Sequence, residues 1–99
     1  MPDKEYTVRL EGDCHLVVTI RMVGGKVVSF VVRLVQIDDK GEKDLARYDT
    51  AHGAPHLDVL EPDGTLKQKI WLDGVSFEAA LTLAIEDFKR NYEKYTEKN

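Results

Sequence analysis

The chain has 99 residues, of which 42% are hydrophobic and 32% charged, with a formal net charge of −4 at neutral pH. A mass of 11.3 kDa makes one domain, and this composition fits neither a disordered tail nor a membrane span. The negative balance disfavours simple adhesion to nucleic acid or anionic lipid, although a local basic site is compatible with it. A single cysteine, Cys14, has no intrachain disulfide partner, which argues against a disulfide-stapled secreted scaffold. The opening Met1-Pro2-Asp3-Lys4-Glu5-Tyr6 lacks the apolar run of a signal peptide. A cytoplasmic location is therefore expected.

The first expected strand runs from Tyr6 to Leu10, where apolar and polar residues alternate. A long hairpin follows from Cys14 to Ile37, rich in β-branched residues and punctuated by Gly24-Gly25. A two-residue Gly-Gly loop would set Leu16 against Arg33 and Ile20 against Ser29, mixing the two faces. A three-residue loop, Gly24-Gly25-Lys26, pairs Met22 with Val28, Ile20 with Phe30, Val18 with Val32 and Leu16 with Leu34, and so builds one apolar face. The second register is expected. Asp38-Asp39-Lys40-Gly41 reads as a turn into a strand over Leu45–Thr50. Two more strands, His56–Leu60 and Thr65–Leu72, flank Glu61-Pro62-Asp63-Gly64, a sequence suited to a type I turn with a bulge. Near Gly74 the pattern changes to helical spacing. Ser76 is the expected N-cap, with Glu78 in the first turn. Phe77, Leu81, Ala84, Ile85, Phe88, Tyr92 and Tyr95 then form one apolar stripe, while Glu86 and Arg90 mark the wet side. A helix over about 76–97 is long enough to lie along the hairpin. The expected fold is α+β: a single domain over 1–99, an antiparallel meander of five or six strands with one C-terminal helix across one face.

Most of the potential chemistry falls in Arg47-Tyr48-Asp49-Thr50-Ala51-His52-Gly53-Ala54-Pro55-His56-Leu57-Asp58. Two imidazoles titrating near neutrality can act as general base and general acid, which assigns catalytic roles to His52 and His56. Asp49 can orient one imidazole, and the Arg47 fork can hold a phosphate. Gly53 and Pro55 argue against a helix here, so the His52/His56 spacing is a loop spacing without the glutamate of the His-Glu-x-x-His motif. A metal site could draw on His52, His56 and Asp49 or Asp58, but spacing alone does not select it, and no metal or cofactor is expected. The competing reading is ordinary turn chemistry with no catalytic role. Cys14 is expected as a buried, inert thiol, and Trp71 as core or interface packing.

On Arg47, Tyr48, Asp49, His52, Pro55 and His56 the chain resembles small toxins of the TumE type from bacterial and archaeal toxin–antitoxin systems. Those are also short strand-rich domains with an Arg-Tyr-Asp-like stretch, following histidines and a Pro-His step. It also resembles short uncharacterised prokaryotic domains with a Tyr-Asp-x-x-His-Gly pattern. The toxin resemblance implies an activity neutralised by a partner antitoxin. Two functions are therefore carried forward: a toxin-like protein acting on RNA through the His/Asp/Arg cluster, or a non-enzymatic interaction module. The second reading has a sequence basis of its own. With one helix on one face, the other hairpin face carries Val17, Val23, Val27, Val31 and Val35, a patch suited to a homodimer or protein partner with Arg21 and Arg33 at its rim.

Overall fold

The computed structural model describes residues 3–96, with the side chain of His52 outside the description. Six strands, β1 (Lys4–Arg9), β2 (Cys14–Val23), β3 (Lys26–Asp38), β4 (Gly41–Asp49), β5 (His56–Leu60) and β6 (Leu66–Trp71), precede one helix, α1 (Phe77–Thr96). The strands pair antiparallel in sequence order, so every connection is local. This is the expected α+β meander, with α1 packed mainly on β3 and also on β4 and β2. Among the described residues, no helix is long and apolar enough to cross a membrane.

The hairpin keeps its expected apolar register but reaches it differently. Ile20–Phe30, Val18–Val32 and Leu16–Leu34 are opposed as expected. At the tip, however, Val23 pairs with Lys26, so the loop has two residues, Gly24 and Gly25, and not three. Their φ angles of 59° and 79° are the positive values that a tight hairpin turn of this kind demands. A one-residue shift between Arg21 and Met22 then restores the apolar register, and Met22 opposes Val27 in place of Val28. The tight turn and the apolar face require different registers, and a bulge reconciles them. Val27 consequently packs against the core while Val28 turns outward. Glu78, in the first turn of α1, accepts the Val27 N–H at 3.2 Å and ties the helix start to the bulge.

A second shift lies between β3 and β4, where Leu34 opposes Ala46 but Val35 opposes Asp44. Leu45 is the extra residue, and both it and Ala46 are buried. The strand begins at Gly41, earlier than the expected Leu45, and ends at Asp49. These shifts also reduce the expected five-valine face. Val27 faces the core, Val35 is fully buried apart from the main cluster, and Val23 sits at the exposed tip. Only Val17 and Val31 remain as half-buried members of that patch. Arg33 is not free at a rim either, because it holds Asp44 at 2.7 Å.

The helix is anchored as its sequence suggests. Ser76 Oγ accepts the Ala79 N–H at 3.1 Å. Ala80, Ala84 and Phe88 are fully buried, with Phe77, Leu81, Ile85, Tyr92 and Tyr95 packed around them. Alanine at two of the three central positions lets the helix approach the sheet closely, and Phe88 fills the space beyond. The Glu61–Thr65 turn closes through Gly64 N–H to Glu61 and Glu61 N–H to Thr65.

Candidate functional site

Strand pairing alone gathers the polar residues of the middle segment. Val31, Asp49, His56 and Trp71 form one row across β3 to β6, and Arg33, Arg47, Asp58 and Lys69 form the next. Side chains alternate along a strand, so Tyr48 and Leu57 enter the core while Arg47, Asp49, His56 and Asp58 occupy the face opposite α1. After Asp49 the chain makes a single 3₁₀ turn over Ala51–Gly53, where no helical structure was expected. Asp49 Oδ1 drives this bend by accepting the Ala51 N–H at 2.9 Å. Gly53 at φ 82° ends it, and Ala54 is extended before Pro55, as the residue preceding a proline should be.

His56 is at the centre and is only 1% exposed. Its Nδ1 faces the Ala54 carbonyl at 3.1 Å. A carbonyl can only accept, so Nδ1 donates. On the other side of the ring, Nε2 lies 3.0 Å from Asp49 Oδ1 and 3.7 Å from Asp58 Oδ2. Both ring nitrogens are therefore engaged. Trp71 tilts against the imidazole with ring centroids 4.9 Å apart, and Lys69 Nζ lies over the indole.

Asp49 and Asp58 are buried as well, and cations offset them from the solvent side. Arg47 reaches Asp49 Oδ2 at 3.3 Å and Asp58 Oδ2 at 3.6 Å, and Lys69 reaches Asp58 Oδ1 at 2.9 Å. These contacts have ion-pair distances but not all have hydrogen-bond geometry. Arg47 Nε and Asp58 Oδ1 are sheltered from solvent and make no hydrogen bond. Of the residues expected to form the site, Asp49, His56 and Arg47 converge. The side chain of His52, the second expected acid–base group, lies outside the described residues, while its backbone belongs to the 3₁₀ turn.

Two members of the cluster, Lys69 and Trp71, were not expected from sequence. Their signal was the period-two alternation of β6, which puts both on one face once the Glu61–Gly64 turn fixes the register. A separate polar group was missed altogether. Asp87, at the edge of the helix stripe, accepts hydrogen bonds from Tyr48 (2.8 Å), Tyr95 (2.7 Å) and Asn91 (2.8 Å). Burial and the facing Asp87 carboxylate raise both phenols well above the ordinary tyrosine range. Cys14 is buried as expected, and burial together with Asp13 pushes its thiol up, away from the reactive thiolate.

Fold and site together define a small α+β domain whose helix covers one sheet face and whose opposite face holds a buried His–Asp–Asp cluster beneath two basic side chains. The family model described as a domain of unknown function, DUF7718, matches residues 1–99, and the chain belongs to that family. No curated protein and no solved structure matches it.

Proposed function

We propose that this domain is a non-enzymatic interaction module, and that a second copy of the chain docks on the sheet face opposite α1. The engagement of His56 carries this reading. A general acid or base must reach the proton that it moves, whereas His56 is enclosed with one nitrogen on a backbone carbonyl and the other on Asp49. The face around it offers different material. Val17 and Val31 are half-buried there, Trp71 is 45% exposed, and Arg21 is exposed beside them. Thr19, Arg21, Ser29, Val31 and Asp49 line a shallow recess of about 470 Å³ on this side.

Two measurements on the full chain test the reading. Light scattering at micromolar concentration is expected to give twice the 11.3 kDa chain mass. A monomer mass would reject the second copy as the occupant. Incubation with total RNA is expected to leave it intact, for the unmodified protein and for His56→Ala alike. Cleavage that disappears in His56→Ala would overturn the module in favour of a toxin-like activity on RNA, with the antitoxin partner which that activity implies.

A further inference from the structure

We infer that Asp49, His56 and Asp58 form a binding site for one divalent first-row transition cation of the zinc class, with Asp49 Oδ1, His56 Nε2 and Asp58 Oδ2 as ligands. One ligand atom from each residue lies within 4.8 Å of the others, and all three residues are buried. Zinc bonds to imidazole nitrogen and carboxylate oxygen are about 2.0–2.1 Å long, so neighbouring donors of a tetrahedral site stand about 3.3 Å apart. The two separations from His56 Nε2, 3.0 and 3.7 Å, bracket that edge.

The surroundings point the same way. A metal-binding imidazole typically donates its other N–H to a carbonyl or carboxylate, which fixes the ring and leaves the remaining lone pair for the metal. His56 Nδ1 meets the Ala54 carbonyl in that manner. The basic side chains hold the outer carboxylate oxygens, Arg47 on Asp49 Oδ2 and Lys69 on Asp58 Oδ1. Asp49 Oδ1 and Asp58 Oδ2 face Nε2, the first also accepting the Ala51 N–H at 2.9 Å and the second lying 3.6 Å from Arg47 Nη2. Arg47 and Lys69 can therefore remain as outer partners when a cation enters. A cation entering between Nε2 and the two carboxylates takes the place of the direct Nε2–Asp49 contact. The mixed nitrogen and oxygen set favours zinc over magnesium, which prefers six oxygen ligands. With its ligands from β4 and β5, the cation clamps the two strand ends on either side of the Ala51–Pro55 loop.

Calorimetric titration of the chelator-treated full chain with ZnCl₂ tests the site. One equivalent is expected to bind and to raise the melting temperature, while MgCl₂ does neither. Asp58→Asn should weaken Zn²⁺ by about tenfold or more, whereas His15→Gln, a histidine outside the cluster, should leave binding unchanged. Imidazole ¹⁵N spectra of the unmodified protein provide a check that does not depend on a variant folding. The His56 Nε2 signal is expected to move on adding Zn²⁺ while Nδ1 keeps its carbonyl partner. Absence of binding at millimolar Zn²⁺, equal affinity in Asp58→Asn, or a Zn²⁺ response confined to other residues would each overturn the site.

Discussion

Asp87 gathers three donors from two different elements, and its partners show what it does. Tyr48 comes from β4, so its 2.8 Å bond joins sheet to helix. Tyr95 lies eight residues further along α1, about 12 Å along the axis of a straight helix. Helical side chains lean toward the N-terminus, and α1 is kinked at Asn91, where φ is −120° and ψ 15°. Together these let the Tyr95 hydroxyl reach back to 2.7 Å from the carboxylate. The Asn91 amide bonds the other oxygen of Asp87, a local side-chain bond of the kind that competes with regular helix. The consequence is a stability that depends on alkaline pH. Both phenols are raised in the folded state, first by burial and then by Asp87, while in the unfolded chain they ionise near the ordinary value of about 10. The folded state thus holds protons that the unfolded state gives up. By linkage their contribution is complete below pH ~10 and falls as pH rises beyond it. Denaturant unfolding measured across that range should show the decline, and absorbance at the phenolate band should show Tyr48 and Tyr95 ionising only as the protein unfolds. Tyr95→Phe should flatten the decline and cost about 1.5–3 kcal/mol at neutral pH, as loss of a hydrogen bond to a charged group does.

The helix and the long hairpin each need the other. Phe88 is fully buried, with its ring 5.0 Å from Tyr48 and 5.2 Å from Tyr95, so it sits where α1 meets β4 and its own C-terminal turn. Phe88→Ala should cost about 3–5 kcal/mol in chemical denaturation, as other large-to-small core changes do. A loss below about 1 kcal/mol, typical of a surface position, would mean that α1 docks through another face. This much was legible in the sequence, because Phe88 follows from a 3.6-residue period and Leu16, Val18, Ile20, Phe30, Val32 and Leu34 follow from a two-residue one. The bulges were not. Alternation states which residues share a face but not where one extra residue is absorbed, so Val27, Val28 and Leu45 stand differently from expectation. The Tyr48–Asp87 contact also lay beyond reach, since it joins residues far apart in sequence through a packing angle that neither period encodes. At the polar cluster, composition pointed to the dozen residues from Arg47 to Asp58, of which strand pairing gathers Arg47, Asp49, His56 and Asp58. Burial of His56 and the arrival of Lys69 and Trp71 came from strand order and register, which composition does not carry.

The placement of six strands and one helix leaves the molecule two-layered on one side only. α1 covers the centre of one face, and the opposite face carries ion pairs across β3–β6, Arg33–Asp44, Arg47–Asp49 and Lys69–Asp58. Such pairs are largely satisfied within the chain and add little to an interface beyond selecting its orientation. Over β2 and β3 the face instead presents Val17, Thr19, Ser29 and Val31 between Arg21 and Arg33. A stable interface takes roughly 800 Å² from each partner. The molecule measures 41 × 25 × 21 Å, so its broad side is large enough to supply that area. Val31 is the position at which to test it. It opposes Thr19 on β2 and Asp49 on β4, so a symmetric contact centred there would bring the Val31 side chains of both copies toward one axis. Val31→Asp would place two like charges near that axis in a desolvated setting, and the assembly should dissociate. The variant should remain folded as a monomer, because Val31 is outside the core cluster under α1 and keeps contact with solvent. Light scattering beside far-ultraviolet circular dichroism separates the outcomes. A folded Val31→Asp monomer from a dimeric parent places the interface on this face. A folded Val31→Asp dimer places the interface elsewhere, and the exposed edge of β6, with Leu66, Ile70 and Trp71, becomes the next surface to substitute.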